Sequence, residues 1–132
     1  MLGFIGKMFA WWNDATPGTF FTLMKRGSKV GEDDFGNRYY EEKSASGPNG
    51  MTRRWVVYNG YADASRVPVE WHGWLHHTFE ATPDDAPLPK QAWEKGHQPN
   101  LTGTIHAYRP EGSLARSGER QAASGDYEAW TP

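Results

Sequence analysis

The chain contains no cysteine, which excludes disulfides, thiolate zinc sites, iron–sulfur ligation and thiol hydrolase chemistry together. Aliphatic residues are scarce as well. Leu, Ile, Val and Phe fill 19 of 132 positions, about 14%, below the roughly 20% at which chains usually stop closing a core. Without long Val/Ile-rich strands, a TIM barrel or a doubly wound sheet is ruled out. No apolar run approaches the roughly 18 residues of a membrane span. An excess of one charge is also missing, since 14 basic residues face 16 acidic ones for a net charge of -2. Lacking a basic field, the chain is not read as a nucleic-acid binder. The first twelve residues are too short for a signal h-region with flanks, and they show neither a basic n-region nor a small-residue cleavage site. The chain is therefore read as unprocessed and not exported, and the missing cysteine fits a reducing compartment.

What the sequence does hold is large aromatic anchors, with seven Trp, six Tyr and six Phe, and 24 Gly and Pro residues to punctuate them. Phe4, Ile5, Met8, Phe9 and Trp12 recur on one face of a 3.6-residue period, so a helix is expected over 1–12. Thr16-Pro17-Gly18 is read as its stop. Such a helix spans about 18 Å, too little for the hydrocarbon core. Because little apolar surface remains elsewhere to cover it, it is expected to lie in a groove of another protein or at a membrane interface. Lys7, Lys25, Arg26 and Lys29 against Asp14 make residues 1–30 locally positive.

Residues 19–24 form a short apolar run that is helix or strand. Strands are expected at Lys29–Glu32, Arg38–Glu41 and Arg53–Tyr58, separated by turn chemistry at Asp34-Phe35-Gly36-Asn37 and Gly47-Pro48-Asn49-Gly50. Together they suggest a three-stranded antiparallel meander. Arg66 to His76 is expected to be a short helix with Pro68 in its first turn, and Trp71, Trp74 and Leu75 on one face. Beyond Thr82, Pro83, Pro87, Pro89, Pro99 and Pro110 punctuate a stretch with few aliphatics, and no element longer than a turn is expected. The fold class is thus small α+β, divided into an amphipathic anchor helix (1–16), a compact sheet node (17–82) and an extended Pro/Gly-rich arm (83–132).

Chemistry-bearing constellations are sparse. His72 and His76, with His77 or His106, could face one metal, but Gly73 stands where a metalloprotease helix needs Glu. Glu32-Asp33-Asp34 lacks the spacing of a calcium loop. Ser65, Ser113 and Ser117 sit in no nucleophile elbow. The tryptophans could serve as stacking platforms for bases or sugars, yet interface anchors explain them with fewer assumptions. Candidate partner-binding residues are Phe4, Ile5, Met8, Phe9, Trp11 and Trp12 near the start, Trp71 and Trp74 on the second helix, and Trp93, Tyr127 and Trp130 on the arm. Trp55, Trp71 and Trp74 are also expected to build the node. No catalytic, cofactor or metal residues are assigned.

Val30-Gly31-Glu32-Asp33 through Phe35-Gly36-Asn37-Arg38-Tyr39-Tyr40-Glu41, then Arg54-Trp55-Val56-Val57-Tyr58 and Glu70-Trp71-His72-Gly73-Trp74-Leu75-His76, resemble one family from about Gly31 to His77. It is the small accessory subunit of respiratory complex I, NADH:ubiquinone oxidoreductase, of mitochondria and alphaproteobacteria. The closing Asp126-Tyr127-Glu128-Ala129-Trp130-Thr131-Pro132 is similar to that family's last residues. One departure is Val69, where the family pattern leads us to expect a second proline. The resemblance implies a non-catalytic supernumerary subunit on the hydrophilic arm, close to the membrane on its cytoplasmic or matrix side. Its partners would be core arm subunits, especially the ferredoxin-like subunit with two 4Fe–4S clusters, with residues 1–12 available for lipid. FMN and Fe–S clusters would belong to other subunits and none to this chain. A paralogous branch acts as an assembly factor, and the closing residues favour the stable subunit. The unprocessed start and Gly-rich tail favour an alphaproteobacterial source.

Overall fold

A computed structural model describes residues 14–131, so the helix expected over 1–12 lies outside the described residues. The chain divides into two compact units, one ending at Asn100 and the other beginning at Leu101.

The first unit opens with helix α1, Pro17–Arg26. Thr16 is its N-cap, extended at φ -63 and ψ 155, and its Oγ1 accepts the backbone N–H of Thr19 at 3.2 Å. Pro17 occupies the first turn, where its fixed φ suits the helix and its missing N–H costs nothing. Thr16-Pro17 therefore starts a helix here. The ambiguity is physical, because the same residues punctuate either end of a helical pattern. Only Leu23 of α1 is buried.

The helix runs directly into strand β1, Gly27–Glu32, which pairs antiparallel with β2, Arg38–Glu42. Strand β3, Arg54–Val57, pairs antiparallel with the far side of β2, giving the order β1-β2-β3. This is the expected meander, with β1 starting two residues earlier than its pattern suggests. The register shifts between Lys29 and Gly31, which leaves Val30 as an extra residue. A bulge of this kind bends and twists its strand. In the β1–β2 turn the Asp33 N–H donates to the Asn37 carbonyl at 3.0 Å, and Gly36 takes the left-handed φ of +79° that its lack of Cβ permits. The second connection holds a 3-10 turn at Pro48–Gly50.

A 3-10 turn at Ala64–Arg66 leads to helix α2, Val69–Leu75. Pro68 precedes the helix as its extended cap, so α2 is shorter than its sequence pattern suggests and Val69 is its first residue. The core forms where α2 crosses the sheet: Tyr39, Val67, Trp71 and Trp74 are buried, with Val30, Val56, Tyr58 and Leu75 packed around them. Gly31 lets that crossing happen. A Cβ there would strike the Trp71 ring.

Beyond α2 no regular element longer than a turn is present among the described residues, as the prolines suggest. The second unit consists of turns. Arg120 grips Asp126 through two nitrogens at 3.1 and 2.6 Å, and the Ala123 N–H donates to the same carboxylate at 2.6 Å.

Candidate functional site

The node is organised by an aromatic stack resting on a polar hub. Tyr39 on β2 lies parallel to Trp71, with ring centroids 4.0 Å apart and 4° between planes. Trp74 meets both rings edge-on, at 6.2 Å from Tyr39 and 5.5 Å from Trp71. Trp71 and Trp74 can share this site because residues three apart on a helix present neighbouring side chains. Offset and edge-on pairs of this kind are worth about 0.5–1.5 kcal/mol each beyond their buried area.

Asp33 is the polar counterpart. Its Oδ2 accepts the Tyr39 hydroxyl at 2.8 Å and the Asn37 side-chain amide at 2.8 Å, while Oδ1 accepts the N–H groups of Phe35 and Asn37, both at 2.9 Å. Asn37 is fully buried and extends the network, donating to the Arg66 carbonyl at 3.2 Å and accepting the Asn59 N–H at 3.0 Å. Turn, sheet and the approach to α2 are thereby joined. Burial pushes the Tyr39 phenol far above its ordinary pKa, and the hydrogen bond to Asp33 reinforces the shift. The hydroxyl therefore stays protonated as a donor and is no catalytic base at neutral pH.

Two charged groups complete the node. The Arg54 guanidinium lies 4.6 Å above the Trp74 ring and donates to the carbonyls of Trp74 at 2.6 Å and Phe79 at 3.0 Å. It also pairs with Glu41 at 3.1 Å and Glu80 at 2.8 Å. It thus satisfies the C-terminal end of α2 and ties the following chain to the sheet. Glu42 accepts the Ser46 hydroxyl at 2.6 and 2.7 Å and pairs with Arg26 at 2.7 Å. The Ser46 bonds, more than Arg26, hold its carboxyl below the ordinary range. Asp63 is likewise lowered, by the hydroxyl and N–H of Ser65.

None of these groups forms a nucleophile–base pair opening onto a pocket, and their hydrogen bonds are spent on holding the node. His72 and His76 do approach each other on α2, with ring centroids 4.3 Å apart. Among the described residues no three His, Asp or Glu side chains converge to hold a metal ion. No described helix is long and apolar enough to cross a membrane.

The arrangement is suited to adhesion. Trp71 and Trp74 are 4% and 1% exposed, so their rings serve the core. Trp55 is half-buried on β3. Trp93, Tyr127 and Trp130 are 77, 87 and 81% exposed. Phe4, Ile5, Met8, Phe9, Trp11 and Trp12 lie outside the described residues. Sequence reading missed a second apolar surface, since Phe20, Phe21 and Met24 project outward from α1. Recognising Thr16-Pro17 as a helix start would have placed them together at i, i+1 and i+4. It also missed Tyr108, Ile105 and Leu114, which are exposed in the second unit.

Comparison with known proteins bears on what such a surface is for. Residues 27–132 match the family model described as NADH ubiquinone oxidoreductase subunit NDUFA12. A Caenorhabditis elegans protein named probable NADH dehydrogenase (ubiquinone) 1 alpha subcomplex subunit 12 is 44% identical over 81 residues, covering 58% of this chain and 53% of that protein. The Dictyostelium discoideum protein named as the same subunit is 36% identical over 93 residues, covering 69% of this chain and 65% of its own length. The Bos taurus counterpart is 41% identical over 96 residues, covering 64% and 63%. The chain thus spans between half and two thirds of the length of these relatives.

Proposed function

The chain belongs to the NDUFA12 family of NADH ubiquinone oxidoreductase subunits, and from that premise we propose that it is a non-catalytic accessory subunit of complex I, the proton-pumping NADH:quinone oxidoreductase. In this reading it stabilises the hydrophilic arm near its junction with the membrane arm. Its partners are core subunits of that arm, foremost the ferredoxin-like subunit with two 4Fe–4S clusters. It resides as a peripheral protein on the cytoplasmic side of a bacterial inner membrane. FMN and the clusters belong to other subunits, and electrons do not pass through this chain.

The family match over 27–132 carries the proposal, and the placement of the aromatics supports its mechanism. Trp93, Tyr127 and Trp130 are rigid, amphipathic side chains held out on segments without a core of their own. Such residues dominate interface hot spots, and a long irregular arm wraps more partner surface per residue than a globule does. Residues 1–12 add a further docking segment toward a protein groove or lipid. The test is a washed pull-down of the tagged full chain from its own membranes, with subunits quantified by mass spectrometry. Recovery in fixed ratio with the mature enzyme is expected. Recovery only with partial complexes would make it an assembly factor, and recovery of no complex I subunit would refute the proposal.

A further inference from the structure

The sequence holds two Asn-Gly pairs, Asn49-Gly50 and Asn59-Gly60, and both stand in connections between elements. Asn is a chemically labile side chain, and ahead of Gly its amide carbon is open to the next backbone nitrogen, which has no adjoining Cβ to shield it. Whether the two atoms meet depends on how freely each pair can move. On that point the two pairs differ.

Asn59 is pinned from several sides. Its side-chain amide nitrogen donates to the Phe35 carbonyl at 3.0 Å, its own N–H donates to Asn37 Oδ1 at 3.0 Å, and the Gly60 carbonyl accepts the Asp14 N–H at 2.9 Å. The same side chain packs so closely on Gly36 that a Cβ there would lie 2.8 Å from its Nδ2. Asn49 is loose by comparison. It is exposed in the β2–β3 connection at φ 58 and ψ 23, a left-handed conformation that Asn tolerates. Among the described residues neither its side-chain amide nor the Gly50 N–H enters a hydrogen bond. A Cβ at Gly50 would meet nothing within 4 Å. The turn is closed around the pair, by the Gly47 N–H on the Met51 carbonyl at 2.9 Å and the Met51 N–H on the Pro48 carbonyl at 3.2 Å. Those bonds leave the peptide between Asn49 and Gly50 untied.

We infer that Asn49 is a site of spontaneous deamidation, a modification this chain performs on itself. The Gly50 nitrogen attacks Asn49 Cγ. A bond forms between them, the Cγ–Nδ2 bond breaks, and Nδ2 leaves as ammonia with the proton that Gly50 gives up. Water then opens the resulting succinimide at either carbonyl, giving aspartate at position 49 or the isomer whose backbone runs through Cγ. Both products carry a new negative charge. The isomer also lengthens by one carbon the connection that carries Ser46, whose hydroxyl holds Glu42.

The test incubates the purified full chain at mildly alkaline pH in heavy-oxygen water, digests it with trypsin in ordinary water, and maps the peptides by mass spectrometry. Peptide 44–53 reports Asn49 and peptide 55–66 reports Asn59. Labelled acid is expected at position 49 as a mixture of aspartate and its isomer. About tenfold less is expected at position 59, whose hydrogen bonds must open before the ring can close. In guanidinium chloride the unfolded chain is expected to convert both pairs at comparable rates. No labelled product at position 49 overturns the inference, as does equal conversion of the two pairs in the folded chain. Aspartate without its isomer would mean direct hydrolysis in place of attack by Gly50, and a difference that survives unfolding would assign the protection of Asn59 to its sequence neighbours; either result overturns it too.

Discussion

Removing the Asp33 carboxylate tests whether the polar hub, rather than the aromatic stack alone, holds the node. Asp33→Ala takes the acceptor from four donors. The Phe35 N–H is exposed and can turn to water, and the Asn37 side chain keeps the Arg66 carbonyl. The Tyr39 hydroxyl has no such recourse, because Tyr39 is fully buried against Trp71 and Trp74. An orphaned buried donor costs about 1–3 kcal/mol, and the lost bonds to Asn37 add about 1 kcal/mol each. The total is roughly 3–5 kcal/mol, a large share of the 5–15 kcal/mol that folds an ordinary domain. Tyr39→Phe alone removes one hydrogen bond and is expected to cost about 1 kcal/mol. Together the two changes must not add. Once Asp33 is gone, deleting the hydroxyl removes the orphan, so Tyr39→Phe is expected to regain about 1–2 kcal/mol in the Asp33→Ala background. Urea unfolding of the purified full chain, followed by near-ultraviolet circular dichroism of the stacked rings, measures all four proteins. If Tyr39→Phe costs the same in both backgrounds, the hub account is wrong.

Gly31→Ala drives a methyl group into the Trp71 ring, and a loss of about 1–3 kcal/mol in the same urea assay is expected. Glu42 couples the node to pH. Its folded pKa is lowered, so its contribution is complete above the ordinary glutamate value of about 4.3 and is lost as pH falls through the lowered folded value. Ser46→Ala removes the first cause of that shift, so the acid limb of a stability-against-pH curve should become smaller and end at a higher pH; an unchanged limb would assign the effect elsewhere. Limited trypsinolysis should cut at Arg116 and Arg120, both exposed, well before Arg54, whose side chain is 3% exposed. Early cleavage at Arg54, read by mass spectrometry, would contradict its burial against Trp74.

The meander and the Trp-bearing helix were legible in the sequence because their signals are local. Arg54-Trp55-Val56-Val57 has the β-branched and aromatic run of a strand, and Gly36, Asn49 and Gly50 sit at the left-handed φ values their turn chemistry allows. Trp71 and Trp74 share a face by spacing alone. What stayed hidden depends on long-range pairing. The bulge at Val30 exists only relative to β2, and His97 meets the Ser65 carbonyl across 32 residues of chain. The role of Arg54 likewise arises from carbonyls 20 and 25 residues away. The exposed face of α1 was obscured by a two-residue ambiguity between a helix stop and a helix start.

The bulge in β1 has a consequence for the free chain. A three-stranded sheet leaves both outer strands with unpaired backbone groups, and a straight edge is a template for pairing with another copy. On one side β3 is only four residues long. On the other, Val30 interrupts the ladder and Lys29 sets a charge beside it. A chain with both edges blunted this way resists edge-to-edge pairing with another copy.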